Sequence, residues 1–273
     1  MTFYPEFMER PTRYIRRSPG LIEGQPVIRG WDFGYRRPAC IWLQYSPTSG
    51  RVWVLRELLG QNIDTHSFRD LVLYLSGERS MEYLLKRPVA VEWVNALRSN
   101  PRLPPPPWFE TAGGAIQYID YAGPEALQRR AAVEGEDSAR VDAEILGEEG
   151  IRLGVYHVSV KAREQIVRRL LQLRPDGHPG LLVDPSCKDL ALGLGGRIVF
   201  KKPTKDDPLP DGPAKDGYFE HLHDALGYAL TNIVPATEEK PPEEPAMRWE
   251  GRQKVAMPAG DGIICNEVLV ERW

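Results

Sequence analysis

A mixed central sheet with helices on its faces, an α/β fold, is what this sequence predicts, and three observations carry the prediction. Apolar runs of strand length stand at 27–33, 39–45 and 51–57, the last two separated by SPTSG, a turn signal of Ser, Pro, Thr and Gly. An amphipathic stretch at 161–173 sets Ile166, Val167, Leu170 and Leu171 on one face. The chain order is strands, a helix, more strands and a closing helix, which suits a sheet flanked by helices.

With 273 residues, of which 42% are hydrophobic, the chain can build one good-sized core, or one of about 200 residues with appendages. Charged residues nearly cancel, leaving a formal charge of −3, so the overall balance announces no nucleic-acid partner and any basic surface must be local. Cys40, Cys187 and Cys265 are far apart and odd in number, which argues against a disulfide framework or a cysteine-rich zinc site and for a reducing, intracellular setting. The first residues carry charges and no apolar leader, and no run approaches the roughly 18 apolar residues of a spanning helix, so a soluble protein is expected.

In order, residues 1–25 are basic and aromatic with scattered Pro and Gly, an extended lead-in packed on something. The three runs from Val27 then form an antiparallel meander. Asp64 or Thr65 caps a helix over about 66–75, where Phe68, Leu71, Val72 and Leu75 keep helical spacing, and a second helical stretch covers 79–98. PRLPPPPW at 101–108 is a rigid crossing, because proline removes the backbone donor and fixes φ. GGAIQYIDYAG is a glycine-led strand ending in Asp120, and the charged segment 125–149 holds a helix near 138–148 that Gly150 terminates. A short strand at 153–159 precedes the amphipathic helix. GLLVDPS is a further buried strand, followed by a glycine-rich turn, RIVFKK and a polar loop at 203–217. YFEHLHDALGYALTNIV closes the core as a helix with Asp224 in its first half. The domain expected from this pattern is 26–234, with 235–273 a linker and terminal appendage. The chain contains no G-x-x-x-x-G-K-[ST] stretch, the phosphate-cradling loop of ATP hydrolysis.

Acids recur where strands end. Asp32, Asp120 and Asp224 can converge although they are far apart in sequence, and three gathered carboxylates repel one another unless a cation sits between them. Hard oxygen donors of this kind suit Mg²⁺ or Mn²⁺, which in two-metal nucleases clamp the attacking and leaving oxygens of a phosphodiester. A single Asp at a strand end is more often a turn or cap residue, and spacing leaves that alternative open for each of the three. Asp184, in VDPS, is read mostly as the start of a turn.

Taken together, PVIRGWDFGYRRPAC, YIDYAG, LLVDPSCKDL and PAKDGYFEHLHDALGYAL resemble, in order and over roughly residues 4–234, the C-terminal nuclease domain of the large terminase subunit of tailed bacteriophages. The second motif departs from the related Asp-Pro-Ala-Gly, with Tyr121 in place of the proline. The resemblance implies a ribonuclease-H-like fold. It also implies an endonuclease that cuts concatemeric double-stranded viral DNA in the cytoplasm of the infected bacterial host. Asp32, Asp120 and Asp224 would hold two Mg²⁺ or Mn²⁺ ions, and the partners would be an ATPase motor, the small terminase subunit and the portal. FYPEF resembles the segment that follows the motor, so an excised domain or a split gene is expected.

On a helix His221 shares a face with Asp224 and His223 does not, so His221 can orient a carboxylate or contact a phosphate, a packing role being the alternative. Arg36 and Arg37 follow the first motif, and Lys201, Lys202 and Lys215 crowd the stretch before the last, where they would position phosphates with little sequence preference. A junction-resolvase-like nuclease and a non-catalytic DNA- or portal-docking module are the competing functions.

Overall fold

The computed structural model describes residues 2–34, 37–87, 115–128, 140–203 and 212–235. The meander forms as expected: β1 (Val27–Phe33), β2 (Pro38–Ser46) and β3 (Arg51–Leu59) run antiparallel in turn. Three parallel strands extend it, namely β4 (Tyr118–Ala122) beside β1, β5 (Leu153–Val155) beside β4, and β6 (Leu181–Val183) beside β3. The order β5-β4-β1-β2-β3-β6, with β2 alone reversed, is a ribonuclease-H-like sheet among the described residues. Every residue of β1 is buried, as a central strand covered on both faces requires.

One face of the sheet carries the helices α6 (Val160–Leu171), α7 (Lys188–Leu192) and α8 (Phe219–Ile233), with α1 (Pro5–Glu9) and α2 (Pro11–Tyr14) packed at its edge. The opposite face is covered by α3 (Thr65–Leu75), α4 (Met81–Leu85) and α5 (Asp142–Gly147). The long helix α8 lies directly on β1. A Cβ at Gly30 would stand 2.1 Å from the Ala225 carbonyl oxygen, so only glycine lets helix and strand approach this closely. Asp64 is the cap of α3, its carboxylate accepting the Ser67 amide at 2.9 Å.

Several details differ from the sequence expectation. The lead-in is two short helices rather than extended chain, and Phe3, Tyr4 and Phe7 are fully buried in the core, since each helix opens on a proline that suits its first turn. The strand over 153–159 shortens to three residues. After Asp184 the chain turns helical at α7 and continues through a wider turn at Gly193–Arg197, and RIVFKK makes only isolated bridges, Thr2 with Val199 and Phe200 with Pro213. Gly150, at φ 83°, closes the turn after α5, which ends at Gly147. The proline-rich crossing, the remainder of the 79–98 helix and the terminal appendage lie outside the described residues.

Candidate functional site

The register of β1 with β4 decides which acids meet. Asp120 pairs with Arg29, three positions before Asp32 on β1, and an odd offset along a strand reverses the face on which a side chain stands. Asp120 therefore lies on the α3 side, in the interior of β4 rather than at its end. There its two carboxylate oxygens accept Arg29 Nε at 2.6 Å and Nη2 at 2.9 Å, and the Trp31 indole donates at 2.7 Å. Arg29 also bonds Ser76 and Glu78, and Ser76 receives the Trp42 indole. Burial pulls the Arg29 pKa down, but Asp120 and Glu78 outweigh it and the net shift is upward. Asp120, expected as a metal ligand, is thus the anion of a saturated buried ion pair and is separated from Asp32 by the sheet.

Asp32 and Asp224 do share a face. Asp32 is the second-last residue of β1, and α8 crosses it so that His221, one turn before Asp224, places Nδ1 2.7 Å from Asp32 Oδ2. The histidine expected beside Asp224 is therefore bound to the strand acid. Burial raises the Asp32 pKa and the charge of Asp224 adds to it, against the His221 hydrogen bond, for a net upward shift. For His221 burial acts downward, but the Asp32 hydrogen bond and charge prevail and its pKa rises. Asp224 goes the other way. Burial raises it, but His223 and Arg163 beside it bring the net below the ordinary carboxylate value. Arg163 Nη2 donates to Asp224 Oδ1 at 3.1 Å, whereas His223 Nδ1 stands at 3.6 Å and its Nε2 meets the Tyr4 hydroxyl at 2.5 Å.

A third carboxylate lies close enough to feel the charge of Asp32, and it was not expected. Glu125 lies just past the C-terminal end of β4, in the short turn Pro124–Leu127, where acids beyond parallel strand ends reach a ligand crevice. Burial raises its pKa, and the charge of Asp32 contributes to the rise. Its Oε2 accepts the Tyr228 hydroxyl at 3.3 Å, while its Oε1 is buried with no hydrogen-bond partner. Tyr228 feels all three acids: burial raises its pKa, and Glu125, Asp224 and Asp32 each push the same way. Two signals in the sequence pointed here. Glu125 follows a strand by three residues, and Arg163 heads the apolar stripe of Ile166, Val167 and Leu170, an unusual place for a cation unless it has a buried partner.

Asp184 is a turn residue. Its carboxylate accepts the Ser186 amide at 2.9 Å, the Ser186 hydroxyl at 2.8 Å and the Ser18 amide at 3.0 Å, and its carbonyl closes a turn with Cys187 at 2.9 Å. Arg37 donates to the Gly217 carbonyl and stacks 5.1 Å over Tyr218, tying the loop after β1 to the start of α8. Arg36 lies outside the described residues. Lys201, Lys202 and Lys215 are exposed, and the first and last stand on segments joined by Lys201 N to Gly212 O at 3.1 Å and Ala214 N to Val199 O at 2.8 Å.

Among the described residues no group of three or more His, Cys, Asp or Glu side chains is spaced to hold a metal ion as it stands. Asp32 is engaged by His221 and Asp224 by Arg163. In chemistry and charge the donors nevertheless fit a hard divalent cation. They are carboxylate oxygens, two of the three acids are held above their ordinary pKa, and Glu125 Oε1 is orphaned.

No family model and no curated protein matches the chain. Among solved structures, the fold resembles that of the large terminase of the thermophilic bacteriophage D6E. In the crystal with ATP-gamma-S the TM-score is 0.56 at 11% identity, covering 85% of this chain and 45% of that one. A second crystal structure of the same protein gives 0.54 at 11% identity, with 85% and 46% covered. The P22 large terminase nuclease domain matches at a TM-score of 0.46 and 11% identity, over 82% of this chain and 89% of that domain. The chain spans less than half the length of the D6E protein. No helix among the described residues is long and apolar enough to cross a membrane.

Proposed function

We propose that this chain is a divalent-metal-dependent endonuclease that cuts concatemeric double-stranded viral DNA during genome packaging, in the cytoplasm of an infected bacterium. The observation that supports the reading is that Asp32 and Asp224 share one face of the sheet, with Glu125 just past the C-terminal end of β4 and its Oε1 buried without a hydrogen-bond partner. The fold likeness to a phage large terminase supports it. Asp32, Glu125 and Asp224 would hold Mg²⁺ or Mn²⁺. Such ions supply a polarised phosphodiester and a water of lowered pKa, and a pair can serve both the attacking and leaving oxygens.

The chain's own residues prepare that site. His221 orients Asp32 through Nδ1, and Arg163 keeps Asp224 ionised and aimed inward. Exposed Lys201, Lys202 and Lys215, with Arg36 and Arg37, would contact phosphates on the approach, so recognition is of backbone rather than sequence. An ATPase motor, the small terminase subunit and the portal are the proposed partners.

One observation favours a second reading. Each of Asp32 and Asp224 already has a protein cation or histidine against it, as in a docking module that has lost cleavage. Incubating the purified chain with supercoiled plasmid and Mn²⁺ separates the two. Metal-dependent nicking and linearisation, abolished in Asp32→Asn and Glu125→Gln, is the expected result. DNA binding without cleavage at any Mn²⁺ concentration would transfer the assignment to docking.

A further inference from the structure

Arg163 touches more of the acid cluster than its single ion pair suggests. It is 5% exposed and heads the buried stripe of α6. Its Nη1 is anchored on the Val158 carbonyl at 2.8 Å, its Nη2 reaches Asp224 at 3.1 Å, and the face of its guanidinium lies 4.4 Å over the Tyr228 ring. Tyr228 in turn donates to Glu125. Thus α6 is linked to two of the three carboxylates, directly to one and through an aromatic ring to the other.

The backbone is shaped to admit this chain of contacts. A Cβ at Gly227 would come within 2.7 Å of the Arg163 stem, and a Cβ at Gly123 within 2.2 Å of Tyr228 Cζ and 2.4 Å of the Glu125 carboxylate. Both glycines make room along the same path, one at each end. Arg163 Nε is buried without a partner, so the head is set by Asp224 and Tyr228 at the expense of one of its own donors.

From this geometry we infer that Arg163 is a positioning residue for the acid cluster, holding Asp224 by hydrogen bond and Glu125 through Tyr228 in the arrangement that receives a divalent cation. The inference rests on the metal-dependent reading above. Its charge opposes its geometry, and that makes the role testable by sign. Arg163 is a cation beside a cation site, so if it acted only as a counter-charge for buried Asp224, removing it would strengthen metal binding. If it acts by placement, removing it weakens binding despite the lost repulsion. Lysine keeps the charge but lacks the planar fork and the face that stacks on Tyr228.

The test is Mn²⁺ binding to the full chain without DNA, read by the electron paramagnetic resonance signal of free Mn²⁺. Wild type, Arg163→Lys, Arg163→Met and Tyr228→Phe are compared, each with a melting curve taken without metal. Placement predicts that Kd rises about 10- to 100-fold in both Arg163 variants, and by a smaller factor in Tyr228→Phe, which changes no charge. Tighter or unchanged binding in Arg163→Met, or wild-type binding in Arg163→Lys, would overturn the inference. If Arg163→Met does not fold, wild-type Kd in Arg163→Lys refutes it alone, and wild-type Kd in Tyr228→Phe refutes the arm that runs to Glu125. Failure of the wild type itself to bind Mn²⁺ would instead sink the metal-dependent reading on which the inference stands.

Discussion

Each face of the sheet buries an aspartate from the β1–β4 pair, and the two are treated in opposite ways. Asp120, on the α3 side, meets a bidentate guanidinium and an indole donor, and its pairing is complete. Asp32, on the α8 side, meets one histidine nitrogen and lies near the like charges of Asp224 and Glu125, one of which keeps an orphaned oxygen. A saturated buried carboxylate stabilises a fold. Carboxylates near one another, one with an unpartnered oxygen, raise each other's pKa, which is the arrangement on which the proposed cation site rests. The difference lies in the partners rather than in the acid.

The largest effect should come from the saturated side. Asp120→Ala strips the buried Arg29 guanidinium of its bidentate partner and leaves it only Ser76 and Glu78, and breaking a buried pair by removing one partner costs about 3–5 kcal/mol. Urea unfolding at neutral pH would measure it. A loss below about 1 kcal/mol would break the comparison, because Asp120 would then not be the structural acid.

Next comes the chemistry of the other side. Asp32→Asn and Glu125→Gln should each lower Mn²⁺-dependent plasmid cleavage at least about a hundredfold, the rate equivalent of roughly 3 kcal/mol, with the fold intact. Cleavage by Asp32→Asn at the wild-type rate would show that the crowded acid is not the working one.

A smaller effect sharpens the same contrast through stability. A carboxylate with a raised folded pKa binds more protons folded than unfolded. Its contribution is full below the unfolded value and is lost as pH rises through the folded one. His221, with its raised pKa, contributes below the unfolded histidine value and loses this as pH rises through its folded value. Above both folded values the two contributions have gone from the metal-free wild type, so Asp32→Asn should melt higher there, and the gain should shrink as pH falls back through those values. Asp120→Ala should show no such gain at any pH. Differential scanning calorimetry across pH would report both.

The smallest effect concerns the surface before α8. Lys201→Ala/Lys202→Ala should weaken duplex binding similarly for all sequences and make its salt dependence shallower, by about 0.9 in log–log slope per lost phosphate contact. An unchanged slope would remove these lysines from the DNA path and leave the acid cluster as it is.

Much of this architecture was legible in local pattern. The meander follows from three apolar runs and a Ser-Pro-Thr-Ser-Gly turn. The start of α3 follows from Asp64-Thr65, between which the structure chooses Asp64 as cap, and α8 follows from its apolar spacing, because each depends on residues within a few positions of one another. The lead-in helices were missed because two prolines beside aromatic residues look extended, while the core they enter is supplied by residues more than a hundred positions away. For the proposed site, the sequence singled out Asp32, Asp224 and His221 from strand position and helical periodicity, and the structure puts His221 against Asp32. Glu125 and Arg163 left weaker marks, an acid after a strand end and a cation at the head of an apolar stripe.

Asp120 marks the boundary between the two kinds of information. The sequence by itself determined the meander, the helices at α3, α6 and α8 with their apolar faces, and the supply of acids on or near strands, since these depend on side-chain period and turn chemistry within single segments. Only the tertiary structure decided which acids meet. Pairing Arg29 with Asp120, instead of a residue one place along, sends Asp120 to the face opposite Asp32, and the crossing of α8 over Gly30 brings Asp224 to the side that Asp32 occupies. Side chains alternate along a strand, so a shift of one residue in register exchanges the two faces, and register is set by the packing of the whole sheet.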